Sequence, residues 1–80
     1  MAAALSACAA QLRAEIAAAK MTVADVVVAS GISRASMDRY LGGERDIPYT
    51  KLAKIGRAIG VPAKTIVARA EERLPPLPMG

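Results

Sequence analysis

The chain has 80 residues and a formal net charge of +4, so it is one small basic domain near the size at which a single core must suffice. With no Phe, no Trp and two Tyr, its core has to come from Leu, Ile, Val, Met and Ala, which favours helices that approach closely. The absence of His excludes imidazole proton transfer and imidazole ligation. A single cysteine, Cys8, excludes an intrachain disulfide and a multi-thiolate metal site, and fits a reducing compartment. The basic balance suits an anionic partner without demanding one.

Leu5, Ala9, Leu12, Ile16 and Ala19 recur at alternating spacings of four and three, which predicts a first helix from about Ala3 to Ala19 with one apolar stripe. Alanine gives this segment strong intrinsic helicity. Arg13 and Glu15 lie off the stripe and are expected in solvent. Leu5-Ser6-Ala7-Cys8 spells a lipoprotein-processing pattern, but only Met1 and three alanines stand ahead of it. Such processing needs a basic segment and a longer apolar run there, so the match is read as coincidence and Cys8 as an ordinary helix residue. No span is long enough to cross a membrane. Lys20-Met21 leads on, with Met21 expected to plug the core.

Thr22 can cap the next helix, because Thr22-x-x-Asp25 approximates a capping box with Asp in place of Glu or Gln. Val23, Val26 and Val27 share one face at helical spacing. The run Val26-Val27-Val28 also suits a strand, but it is short, bracketed by cap and glycine, and would have no partner strand. Gly31 supplies the left-handed backbone that ends this helix and turns the chain. Ser33 can cap a third helix to Leu41, with Ile32 stapled to Met37. Helix, glycine turn and capped helix make a helix-turn-helix.

In the third helix, Met37, Tyr40 and Leu41 cluster at about 100° per residue and form the buried face. Ala35, Asp38, Arg39 and Gly42 point away, Ser36 sits on the flank, and Arg34 can reach past the helix end. Small residues let a helix lie deep in a groove. Arg can donate bidentately to guanine, and Asp can accept from cytosine. The plain alternative is a solvated surface helix.

Gly42 to Pro48 is a loop by composition, and Pro48 suits the first turn of a fourth helix. Leu52, Ile55 and Ile59 bury that helix, with Ala53 or Ala58 close by, and Gly60 ends it. Lys51, Lys54 and Arg57 decorate the other side. Between Arg34 and Arg57 six basic residues face three acidic ones, and such cations could grip phosphates without reading sequence. Pro62 opens a last helix to about Arg73, with Ile66, Val67, Ala70 and Leu74 on one stripe. Either a second copy of the chain covers part of that stripe, or it packs wholly onto the first helix. Residues 74–80 form a Pro-rich tail, expected to be extended or disordered. Its Pro75-x-x-Pro78 match to a proline-rich ligand motif is read as coincidence.

Catalytic chemistry finds no footing. Cys8 and the serines lack a candidate base at motif spacing, and Glu71-Glu72 diverge around a helix. Gly42-Gly43 is not followed by a phosphate-loop Lys. No enzymatic activity, no cofactor, no metal and no small-molecule ligand is expected.

From Leu12 through Val67 the chain resembles the Cro/CI-type helix-turn-helix family, the lambda repressor-like or XRE group of DNA-binding domains. The resemblance rests on the turn Gly31-Ile32-Ser33, the helix RASMDRYL, the loop GGERDIP and the helix TKLAKIGRAIGV. Three positions depart from the family pattern. Val27 stands for the usual alanine, Val23 for a phosphate-contacting glutamine, and Leu41 for an acidic residue after the reading helix.

The resemblance implies an all-α fold, a compact five-helix domain over residues 1–73. It further implies a sequence-specific regulator of transcription that places Ser33–Leu41 in the major groove of double-stranded DNA. The base-reading set is then Arg34, Ala35, Asp38 and Arg39. Thr22, Ser33, Ser36, Arg45 and Lys51 are the phosphate contacts, joined by free N–H groups at the Thr22 helix start. Ile66, Val67, Ala70 and Leu74 are the expected homodimer interface, matching the two halves of a palindromic operator. The role implied is a repressor of phage or mobile-element type, cytoplasmic and associated with the nucleoid. Two rivals are kept beside it: an antitoxin-like module of the same fold that neutralises a toxin, and a sequence-blind architectural protein.

Overall fold

A computed structural model describes residues 2–74, with side chains from residue 7 onward. It contains five helices: α1 (Ala2–Ala18), α2 (Val23–Ser30), α3 (Arg34–Leu41), α4 (Tyr49–Ile59) and α5 (Ala63–Glu71). No strand occurs among the described residues, and the valine run of α2 is helical. The fold is all-α, as expected. The tail beyond Leu74 and the side chain of Leu5 lie outside the described residues.

The ends of the helices follow local chemistry. Thr22 and Asp25 form the reciprocal capping box: the Asp25 N–H donates to Thr22 Oγ1 at 3.1 Å, and the Thr22 N–H to Asp25 Oδ2 at 2.9 Å. Pro48 and Pro62 sit one residue earlier than expected, at the N-cap positions of α4 and α5, each with extended ψ. There a missing N–H is equally harmless. α1 closes through Lys20, which takes a left-handed φ of 57°. Around it Met21 N–H bonds Ile16 C=O at 3.3 Å and Lys20 N–H bonds Ala17 C=O at 3.0 Å, the doubled bond pattern that usually recruits glycine.

One core joins all five helices. Leu12 and Ile16 of α1, Val26 of α2, Met37, Tyr40 and Leu41 of α3, Leu52 and Ile55 of α4, and Ala63 and Ile66 of α5 are buried together with Ile32. Met21, Val23 and Val27 pack at its edge. α1 and α5, the two ends of the chain, lie against each other, and α1 also touches α3. α4 packs on both α2 and α5. That last contact needs Gly56, because a Cβ there would stand 2.4 Å from the Val61 carbonyl oxygen.

Two expectations are corrected by the α1–α5 pairing. Glu15 is not in solvent but only 5% exposed, because α5 covers the side of α1 that carries Gln11 and Glu15. Glu15 accepts from Gln11 Nε2 at 2.6 Å and from Arg69 Nη1 at 2.8 Å, and Arg73 Nε donates to Gln11 Oε1 at 2.7 Å. Hydrogen bonds from the Arg69 guanidinium and the Gln11 amide, with the charge of that same guanidinium, hold the Glu15 carboxyl below its ordinary range against the cost of burial. Ile66 and Ala70 are likewise buried within the chain, so they are core residues and cannot serve as a dimer face. Val67 and Leu74 are left half-buried.

Candidate nucleic-acid interface

The elbow between α2 and α3 is built from three residues. Gly31 takes φ 74° and ψ 9°, and its N–H bonds the Val27 carbonyl at 3.0 Å, ending α2. Ile32 drops into the core, nearly fully buried, and pins the turn. Ser33 then caps α3, its Oγ accepting from Ser36 N–H at 3.2 Å. A left-handed residue, an apolar anchor and a cap in succession fix the angle at which α3 leaves α2.

That angle sets what α3 presents. Met37, Tyr40 and Leu41 are buried, while Arg34, Ala35, Asp38 and Arg39 are exposed. All four sequence-predicted base-reading residues therefore share one open face. Arg34 Nε donates to Asp38 Oδ1 at 3.0 Å, with both side chains 59% exposed. Asp38 is thus tied to Arg34 rather than standing as an isolated acceptor, and the far edge of the guanidinium, with its four remaining N–H groups, is left open.

The expected phosphate contacts divide. Thr22, Ser33 and Arg45 are exposed, and Ser36 and Lys51 are half-buried. Thr22 and Ser33 spend their side-chain oxygens on capping, though a hydroxyl hydrogen stays available on each. The N-terminus of α2 is less open than expected. Its capping box consumes the Thr22 and Asp25 N–H groups and adds the Asp25 carboxylate, which hydrogen bonds from Thr22 keep ionised below its ordinary range. On α4, Lys54 and Arg57 are more exposed than Lys51.

Sequence reasoning missed Arg13. Its Nη1 donates to the Leu41 carbonyl in the last turn of α3, so α1 holds the C-terminus of the exposed helix with a cation, where the helix dipole favours one. Arg13 also lines a shallow cleft with Thr22 and Val23, beside the start of α2. Only its length and charge hinted at this, because it lies off the apolar stripe. Cys8 is half-buried, and burial together with the Asp46 carboxylate raises its thiol pKa, making it a poor nucleophile. Among the described residues no helix is long and apolar enough to cross a membrane, and no group of acidic or thiol side chains is placed to hold a metal ion.

Compared with protein-family models, residues 4–68 match one described as a helix-turn-helix domain. The match spans α2, the Gly31 elbow, α3 and the helices that support them. This chain belongs to the helix-turn-helix domain family. Within that DNA-binding family α3 occupies the place of the recognition helix, the second helix of the motif. Comparisons with curated proteins and with solved structures gave no match.

Proposed function

We propose that this helix-turn-helix protein is a sequence-specific regulator of transcription that inserts α3 into the major groove of an operator. The observation that carries the reading is the two-sidedness of α3. Met37, Tyr40 and Leu41 lock it to the body, while Arg34, Ala35, Asp38 and Arg39 face outward on a slim helix. Arg34 and Arg39 are the base readers, Ala35 leaves room for close approach, and Asp38 shapes the choice of base through its bond to Arg34. Arg45 and Lys51, with Ser33, Ser36 and Thr22, grip the flanking phosphates.

The Cro/CI-type resemblance supports a repressor of phage or mobile-element type, acting in the cytoplasm on the nucleoid. It also supports a homodimer on paired half-sites. Selection of bound sequences from a random duplex pool at physiological salt tests the reading. A regulator enriches a palindrome and prefers it over random duplex by roughly 10³-fold or more. Equal retention of all duplexes would make the protein a sequence-blind architectural binder. Retention of none would remove the DNA reading, leaving the antitoxin-like alternative to be pursued by capture of its toxin.

A further inference from the structure

The outer side of α5 carries an open groove that runs up to the last described residues of the chain. Tyr49, Lys64, Val67, Ala68, Glu71 and Glu72 enclose about 550 Å³. Ala63, Ile66 and Ala70 of the same helix are buried against the body, so the groove lies on the side of α5 turned away from it, with Tyr49 of α4 as the facing wall. Tyr49 is 63% exposed and Val67 is half-buried, which leaves an aromatic ring and a branched side chain open to water.

Residues 75–80, outside the described residues, read Pro-Pro-Leu-Pro-Met-Gly. No side chain in this segment is charged, and none carries a hydroxyl or an amide. Segments that stay solvated are, by contrast, rich in charged and polar groups. Pro75, Pro76 and Pro78 have no N–H, so the segment can neither extend α5 nor pair as an inner strand. The conformation that remains is polyproline II, which docks on aromatic-lined grooves.

Reach and direction both suit the groove of the same chain. Past Glu71 the helix tightens and stops: Arg73 N–H bonds the Ala70 carbonyl at 3.0 Å, and Leu74 N–H the Glu71 carbonyl at 3.1 Å. Leu74 precedes a proline, which disfavours the helical region for it, and its side chain is half-buried. The chain is therefore still against the body where the tail begins, close to Glu72 on the groove rim. From Glu72 back to Lys64 the helix covers roughly 12 Å at its usual rise. Residues 75–80 cover roughly 19 Å as polyproline II, enough to turn and cross the groove. The tether holds the tail there at an effective concentration on the order of millimolar. Among the described residues Lys64 makes no ion pair. Its ammonium and the Tyr49 hydroxyl are donors for the carbonyls that polyproline II leaves unbonded.

We propose that residues 75–80 fold back along α5 and occupy the Tyr49 groove of their own chain. The prolines and Leu77 cover Tyr49, Val67 and Ala68, while Lys64 and the Tyr49 hydroxyl donate to tail carbonyls. The Pro75-x-x-Pro78 pattern then serves the chain's own groove instead of an outside partner. The proposal goes beyond the DNA reading and does not rest on it.

Proton NMR of the full chain tests this. Overhauser contacts should run from the Tyr49 ring to the Leu77 methyls or the Pro78 ring, and should persist on dilution by roughly tenfold, as an intrachain contact must. Leu77→Glu places a charge in the apolar contact. It should abolish those contacts and shift the amide resonances of Lys64, Val67, Ala68 and Glu71, while those of the core residues Met37 and Ile55 stay in place. Leu77 lies beyond every residue of the core, so the fold does not depend on it. Tyr49→Ala should move the Leu77 and Met79 resonances to those of the free hexapeptide Pro-Pro-Leu-Pro-Met-Gly. Absence of contacts between Tyr49 and the tail, or groove resonances unmoved by Leu77→Glu, would overturn the proposal. Contacts that fade on dilution would do so too, because the occupant would then be the tail of another copy. Duplex binding enters none of these readouts, so failure here leaves the DNA reading untouched, and the reverse holds as well.

Discussion

Arg69 on α5 donates to both carboxylate oxygens of Glu15 on α1 at 2.8 Å, across 54 positions of sequence. This pair and the Gln11–Arg73 bond beside it join the first helix to the last, on the flank of an otherwise apolar contact. Glu15 is nearly buried while the Arg69 side chain is half exposed, so the carboxylate depends on the pair more than the guanidinium does.

Glu15→Gln should therefore lower stability at neutral pH by about 1.5–3 kcal/mol, the worth of hydrogen bonds to a charged group. The pH dependence follows from the lowered pKa of Glu15. A depressed carboxyl contributes stability that is fully present above its unfolded value and lost as pH falls through the folded one. Urea melts of the wild type should weaken as pH drops below about 4.5, the ordinary value. The Gln variant should lack that part of the acid sensitivity; parallel pH profiles for the two proteins would refute the assignment.

Arg13→Ala removes the cation that α1 places on the Leu41 carbonyl. The expected cost is about 1 kcal/mol, with faster amide exchange in the last turn of α3 as the local readout. If exchange there is unchanged, Arg13 is only a surface residue.

Gly56→Ala forces a Cβ to within 2.4 Å of the Val61 carbonyl oxygen, which belongs to backbone and cannot swing aside. The α4–α5 junction must open, at an expected cost of about 1–3 kcal/mol. A thermal melt matching wild type would show that the junction relaxes freely.

Lys20→Gly acts in the opposite direction. A lysine at φ 57° bears a left-handed penalty that glycine escapes, and after the greater freedom of glycine in the unfolded chain a net gain of about 0.5–1 kcal/mol is expected. Chemical denaturation decides the sign.

On DNA the substitutions should separate by type of contact. Arg39→Ala or Arg34→Ala should cost about 1–3 kcal/mol on the selected site and little on random duplex. Lys51→Ala should weaken both alike and reduce the salt slope by about one. Asp38→Ala frees Arg34, removes a negative charge from the groove-facing surface, and should tighten random binding while relaxing base choice at the position Arg34 reads. Equal losses on operator and random duplex for the arginine variants would make them phosphate clamps.

Much of this was legible in the residues because its physics is local. The Thr22–Asp25 box, the left-handed Gly31, the Ser33 cap and the buried Met37, Tyr40 and Leu41 are decided within one or two helical turns. Caps, glycine backbone freedom and helical periodicity all act over that range. The outward face of α3 follows from the same periodicity, since a helix anchored on one side must present the other.

Partnership between helices is not local, and there the tertiary structure decided. Nothing near Glu15 announces that Arg69 of α5, 54 positions on, will cover it. The α5 residues divide in the same way. Periodicity grouped Ile66, Val67, Ala70 and Leu74, but the position of α1 buried Ile66 and Ala70, left Val67 half-buried and turned Lys64, Ala68 and Glu71 outward. A chain writes the shape of each helix into neighbouring side chains. It writes the neighbour of each helix into contacts fifty residues apart, and those exist only once the core has closed.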